Sequence, residues 1–296
     1  MFVIKHKFIF LAFSALLVAA SLFLLFRYGL NLGIDFRGGA IVELAYGTGA
    51  RREAATIRQL LAPLNLGSVN VQPAGDAKLI LRLRAISEAE HRELLATLRA
   101  DYPTLAETRF SSIGPSLGAE LSRKGIIAIA LAVVFIIIYI AIAFWAVSRP
   151  VRSWKYGLIA IIALLHDIAI PAGVFAYLGF RYGIEVDALF LTALLTIFGL
   201  SISDTIVVFD RIRENLKKHR NENFAEVVGQ SLNETFVRSF NTSLTVILAL
   251  LAVLFFGSET TRWFALALTI GMIVGTYSSI FVASPLLVLW SGVRSK

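Results

Sequence analysis

Three stretches of the chain carry ionisable groups among apolar neighbours. "GLSISDTIVVFDRIREN" (199–215) places Asp204 inside a run that is apolar from Ala188 onward. "LLHDIAIP" (164–171) sets His166 beside Asp167, and "SLNETFVRSFNTS" (231–243) contains Arg238. A charge at mid-bilayer costs roughly 2.5–3.5 kcal/mol, so ionisable residues in such runs are functional candidates. A carboxylate that exchanges H⁺ and swaps partners is a proton carrier. One charge moving through 100 mV is worth about 2.3 kcal/mol, enough to bias a conformational equilibrium.

Asp204 lies 16 residues into its run, and Arg238 opens the next one at similar depth. The spacing predicts that the two share a site, where pairing lowers the cost of both. His166 and Asp167 read equally well as part of that proton site or as a satisfied polar pair. Pro171 follows Asp167 by four residues, so the Asp167 carbonyl loses its helical N–H partner. Gly199 and Ser203 form one small-residue stripe, and Gly271, Gly275, Ser279 and Ala283 form another; both predict close helix approach. Asn241, Thr242, Ser243 and Thr245 read as polar groups that fix helix packing.

Other chemistries lack their residues. There is no cysteine, hence no disulfide and no thiolate metal site. An aspartyl intramembrane protease needs a "GxGD" signature and a metalloprotease "HExxH"; neither occurs. One His and one Asp are too few for a catalytic zinc. No enzyme activity, metal or cofactor is expected.

The elements that must hold these groups follow from hydropathy. The 296 residues are 57% hydrophobic with a mean hydropathy of +0.75, values of an integral membrane protein. Six apolar runs are long enough to cross about 30 Å of hydrocarbon as helices: 8–28, 124–146, 157–178, 188–209, 236–257 and 263–290. The first follows Lys5, His6 and Lys7, but it is longer than a signal-peptide core and is expected to stay as an anchor. The net charge of +8 does not indicate nucleic acid, because the excess lies in short segments beside the runs. Lys5 and Lys7, Arg149 to Lys155, Arg211 to Arg220, and Arg294 with Lys296 mark every second connection. The positive-inside rule puts those connections and both termini in the cytoplasm. Residues 210–236, with mixed charges at helical spacing, read as one amphipathic helix on the membrane surface.

The expected organisation is a first transmembrane helix (1–29), an extracytoplasmic domain (30–122) and a five-helix transmembrane domain (123–296). The outer block is neutral, with ten basic and ten acidic residues. Strands are expected at 38–46, 67–74, 77–84 and 104–114, with a tight turn at Gly75-Asp76. Helices are expected at 50–64 and 87–102, the second opened by a Ser87/Glu90 capping box. The order β-α-β-β-α-β is that of a ferredoxin-like α+β domain. His91 is expected to be a solvated side chain on a polar helix. Glycine-rich stretches bound the block, "NLGIDFRGG" (31–39) with Gly33, Asp35, Gly38 and Gly39, and "SSIGPSLGAELSRKG" (111–125) with Gly114 and Pro115. They read either as hinges or as ordinary turns.

"GIDFRGG", "IGPSLGAEL", "SDTIVVFDRIREN" and "SLNETFVRSFNTSLT", in this order around six runs, resemble the SecF type of the SecD/SecF family of protein-export membrane proteins. That family is similar to one half of a resistance-nodulation-division transporter. The resemblance covers nearly the whole chain. It implies a bacterial inner-membrane location and a SecD partner as the pseudo-symmetric other half. It also implies work beside the SecYEG translocon, contact of the outer domain with preprotein, and coupling of proton flow to late steps of export. By motif, the family's essential acid falls on Asp204 and its essential base on Arg238. Asp35 and the glycines of "GIDFRGG" take a structural or hinge-like role. Ser203 departs from the family's usual Asn: serine keeps a hydrogen-bonding hydroxyl but loses the amide's reach. Two alternatives remain: a half-size proton-driven efflux transporter of small molecules or lipids, and a passive scaffold. Surrounding lipid is a partner in every reading.

Overall fold

Twenty-two residues from Lys7 to Tyr28 contain no proline or glycine and only end-placed charges, which leaves the backbone free to close every i→i−4 hydrogen bond. The computed structural model describes residues 2–45, 54–74, 78–143, 151, 153–219 and 222–291. Among these, the chain groups into two compact units, Met1–Asn31 with Ile127–Lys296, and Leu32–Ile126.

The N-terminal turn α1 (Phe2–Lys5) leads into α2 (Lys7–Tyr28). The second unit then begins with a short helix, α3 (Ile34–Arg37), and strand β1 (Gly39–Ala45). Next come α4 (Ala54–Leu61), extended by a 3₁₀ turn at Ala62–Leu64, and strands β2 (Asn70–Ala74) and β3 (Lys78–Leu83). Helix α5 (Glu88–Asp101) and strand β4 (Ala106–Ile113) complete the domain. The sheet order is β2-β3-β1-β4 with every neighbour antiparallel, the arrangement of a split β-α-β-β-α-β unit. Alternate β1 residues Ala40, Val42 and Leu44 are fully buried, as a two-residue period requires, and meet Leu94 and Leu98 of α5 in one core. The expected turn at Gly75-Asp76 lies outside the described residues.

Helix α5 starts where the sequence places it. Ser87 Oγ accepts from the Glu90 N–H, and Glu90 Oε2 accepts from the Ser87 N–H at 2.7 Å. The expectation for His91 is overturned. The residue is 6% exposed, and its ring lies 3.0 Å from Glu107 Oε1 through Nε2 and stacks on Phe110 with centroids 3.7 Å apart. His91 heads the 91/94/95/98 stripe of α5, so it faces the sheet, and Glu107 makes that burial tolerable.

The stretch 111–125 is not turn structure throughout. Gly114 alone separates β4 from α6 (Pro115–Ala143), with proline at the favoured first helical position. The two glycine motifs pack on each other: a Cβ at Gly38 would lie 2.8 Å from Pro115 Cα, and one at Gly118 would lie 2.6 Å from Gly38 N. Gly38, at φ +76, also has the conformation L side chains avoid.

Four more long helices follow: α7 (Ser153–Tyr182), α8 (Ala188–Lys218), α9 (Phe224–Phe256) and α10 (Glu259–Ser278). A π-helical turn at Ser279–Ala283 then joins α10 to α11 (Ser284–Trp290). Pro285 has no N–H for the Phe281 carbonyl, which accounts for the widened turn just before it. Among the described residues, six helical stretches are long and apolar enough to cross a membrane. In their most apolar windows, 61% of α7 and of Thr260–Trp290 and 44% of α8 are buried, against 11% of α2, α6 and α9. Helices α7, α8 and α10 therefore form the interior, and the others present apolar side chains outward.

Residues 210–236 do not form one surface helix. Helix α8 runs on to Lys218, and Asn223 caps a new helix by accepting from the Ala225 N–H at 3.0 Å. The ends of α8 and α9 are joined by Asn215, which donates to Ser231 Oγ at 3.0 Å and to Glu234 Oε2 at 2.8 Å.

Candidate functional site

Asp167 sits mid-way along α7 with no exposed surface, the one such acid among the described residues. Its Oδ2 accepts from Ser201 of α8 and, at 2.7 Å, from Ser278 of α10; its Oδ1 lies 2.8 Å from His166 Nδ1. Three helices are thereby tied to one carboxylate. Burial of an ionisable group is tolerable only with such partners. Glycine makes the approach possible: a Cβ at Gly275 would lie 3.2 Å from Ser201 Cβ and 3.6 Å from Asp167 Oδ2. Gly271 likewise lies where a Cβ would overlap Ile197.

Asp204 is one turn beyond Ser201 on α8 and is partly exposed. Ser239 of α9 and Ser279 of the π turn lie beside its carboxylate. Even so, Asp204 Oδ2 and Ser239 Oγ are buried atoms without a hydrogen-bond partner. The adjacent Thr205 joins Ser279 at 2.9 Å between hydroxyl oxygens. The expected pairing with Arg238 is absent. Arg238 is exposed on α9, forms no ion pair with Asp204 among the described residues, and acts on it only through space. Similar depth on consecutive helices does not make two side chains meet, because each must also face the common seam.

The two small-residue stripes separate in the same way. Gly271, Gly275 and Ser279 lie in the interior, whereas Gly199 and Ser203 are exposed. No described atom lies within 4 Å of where a Gly199 Cβ would be, so at Gly199 no helix packs closely among the described residues. Among Asn241, Thr242, Ser243 and Thr245, only Ser243 is buried; it receives a hydrogen bond from Thr276 at 2.6 Å. Gly33 caps α3, which carries Asp35, and Gly38 and Gly39 lead into β1, away from these carboxylates in sequence.

Ser201, Ser278 and Thr276 escaped the reading of the sequence. Their signal was present: hydroxyls at 276, 278 and 279 interrupt an apolar span, and 201 precedes Asp204 by three residues on one helix face. No group of three or more His, Asp or Glu side chains arranged to hold a metal occurs among the described residues.

A larger space borders the same region. A cavity of about 790 Å³ beside α2 and α7 is lined by apolar side chains, Ser14 and His166, whose Nε2 is buried without a partner among the described residues. Helix α2 is held against its neighbours near this cavity. Ser14 donates to the Tyr277 hydroxyl at 3.3 Å, and that hydroxyl donates to the Phe10 carbonyl at 3.2 Å.

Comparison with known proteins reaches the same place as the motifs. Residues 94–293 match the C-terminal family of the protein export membrane protein SecD/SecF, and residues 23–50 match the SecD/SecF GG motif. The protein translocase subunit SecF of Thermobaculum terrenum is 44% identical, with 97% of this chain and 93% of the relative covered. The protein translocase subunit SecDF of Thermus thermophilus is 37% identical over 96% of this chain, which spans 37% of that longer protein. The crystal structure of SecDF, a translocon-associated membrane protein from Thermus thermophilus, superposes with a TM-score of 0.83 and 34% identity; 97% of this chain and 38% of that one are covered. Six apolar helices, a four-stranded antiparallel sheet and these matches over nearly the full length agree: the chain belongs to the SecD/SecF family of protein-export membrane proteins.

Proposed function

We propose that this chain couples proton flow across the bacterial inner membrane to late steps of Sec-dependent export, with a SecD-type chain as its other half. The observation that carries the reading is Asp204, whose Oδ2 is buried and, among the described residues, has no hydrogen-bond partner and no ion pair. An acid with an unused acceptor can exchange H⁺ without first breaking a salt bridge. Arg238 acts on it at a distance and tunes the charge rather than neutralising it. Asp167 and His166, tied to α8 and α10, carry any change at Asp204 to α7.

In this reading the region 30–122 is extracytoplasmic and meets preprotein, 1–29 and 123–296 lie in the membrane, and both termini are cytoplasmic. The SecYEG channel is the neighbouring machine. The bare stripe of Gly199 and Ser203 on α8 is the face offered to the SecD-type chain, since small residues permit close helix approach. Membrane lipid covers the outward faces of α2, α6 and α9. Gly38 and Gly114 are the positions where the outer domain would turn.

The test is Asp204→Asn in cells and in proteoliposomes. Complex formation and expression are expected to persist while the proton-dependent part of export is lost. Unchanged export at full membrane potential would overturn the reading in favour of a passive scaffold. The 790 Å³ apolar cavity favours a second reading, transport of a lipid or small molecule. Proton-driven movement of such a compound by the purified pair, with export unaffected, would establish that instead.

A further inference from the structure

Asp204 borders a second, far smaller cavity of about 10 Å³, walled by Ser201, Ser243, Thr276, Gly271 and Gly275. A space of roughly 10–15 Å³ on this scale holds one water, provided it finds two or more polar partners. A lipid tail or a substrate does not fit.

The hydroxyls around it allow a hydrogen-by-hydrogen account. The Ser201 hydrogen is committed to Asp167 Oδ2. Thr276 Oγ1 lies 2.8 Å from the Met272 carbonyl and 2.6 Å from Ser243 Oγ, but a hydroxyl has a single hydrogen to give. Two settings satisfy the pair. In one, Thr276 donates to Met272 and Ser243 donates to Thr276, so Ser243 Oγ turns a lone pair to the cavity. In the other, Thr276 donates to Ser243, and the Ser243 hydrogen turns to the cavity. Asp204 also lines this cavity, and its Oδ2 is a buried atom without a hydrogen-bond partner among the described residues, although the Ser239 and Ser279 hydroxyls lie beside the carboxylate.

We propose that this cavity is a one-water site, that its water is the missing partner of Asp204 Oδ2, and that the Ser243–Thr276 pair positions that water. When Asp204 is ionised, the water donates to Oδ2 and accepts from Ser243. When Asp204 is protonated, the carboxyl donates to the water and the water donates to Ser243. Rotation of two hydroxyls thus serves both charge states with no movement of a helix. Ser243 and Thr276 are positioning residues: they act on Asp204 through the water. The functional weight of the site rests on the reading of Asp204 as a proton carrier, but its existence does not.

The experiment uses the full chain purified with its partner chain in lipid vesicles. Infrared difference spectra on pH change are recorded in ordinary and heavy-oxygen water, beside measurement of proton-driven export. An isotope-sensitive water band is expected in the wild type and in Thr276→Ser, which keeps the hydroxyl. It is expected to disappear in Thr276→Val, where the Asp204 C=O band moves to higher wavenumber. Export in that variant is expected to fall about tenfold, the loss typical of one hydrogen bond to a charged group. Ser243→Ala and Ser243→Thr repeat the comparison from the other side should Thr276→Val fail to assemble. An unchanged water band in both hydroxyl-deleting variants would overturn the proposal. So would a band shift caused by Ser239→Ala alone, since it would assign Oδ2 a direct partner on α9. Loss of the water band with export indifferent to Asp204→Asn would keep the water site and discard the proton-coupling reading.

Discussion

Asp167 and Asp204 are two acids in the same helical interior, and they are held in opposite ways. Asp167 has no exposed surface and gathers partners from α7, α8 and α10. Asp204 lies one turn from Ser201, partly exposed, with a buried oxygen that accepts nothing. A carboxylate with its lone pairs occupied is expensive to disturb and behaves as a structural clamp. One with an unused acceptor is free to take a new partner. The difference sets a carboxylate tied to three helices apart from one whose Oδ2 has no partner among the described residues.

Mutation tests that separation directly. Asp167→Ala leaves Ser201, Ser278 and His166 facing a void and is expected to cost about 3 kcal/mol or more, measured by denaturant unfolding in detergent micelles. A cost near zero would mean that Asp167 clamps nothing. Ser201→Ala removes one donor to that carboxylate and is expected to cost about 1.5–3 kcal/mol, whereas Ser203→Ala, two residues along but outward-facing, is expected to change stability by no more than about 0.5 kcal/mol. Equal effects would erase the distinction between the two faces of α8. Asp204→Asn is expected to cost under about 1 kcal/mol, because Oδ2 has no hydrogen-bond partner to lose among the described residues, while the proposed coupling predicts loss of the proton-dependent part of export. A large loss of stability would make Asp204 a second clamp.

The outer domain supplies a third carboxylate that sharpens the contrast. Glu90 is held down to about 2, chiefly by the Arg84 guanidinium and then by the N–H and hydroxyl of Ser87. Because its folded value lies below the ordinary 4.5, its contribution is complete above pH 4.5 and disappears as pH falls through about 2. The protection of amides in the first turn of α5, relative to their intrinsic exchange, is therefore expected to fall across that window and to do so at higher pH in Arg84→Ala. Protection that stays constant there would show that the capping box holds without its charge. This acid is exposed and paired, so its effect stays local, unlike that of Asp167.

Much of the molecule was legible in advance. The six apolar runs, the β-α-β-β-α-β order and the Ser87/Glu90 cap follow from periodicity and local hydrogen bonding, which act over a few residues and can be read along the chain. The family was legible too, because its motifs are long. His91 was misread because the polar faces of α5 outweighed its place on the Leu94/Leu98 stripe. The surface helix at 210–236 was misread because mixed charge hid a break at Asn223 and the buried contacts of Asn215 and Ser231.

The sequence alone determined which residues would be costly in a membrane and on which helices they would lie, since hydropathy is a property of each segment by itself. Which of those residues meet was decided only in three dimensions. The azimuth of each helix turns Arg238 and Gly199 outward, Ser201 and Gly275 inward, and leaves a cavity of about 10 Å³ beside Asp204. That azimuth comes from how α7, α8 and α10 interlock, with glycine admitting close contact and serine supplying donors, and no single segment encodes it.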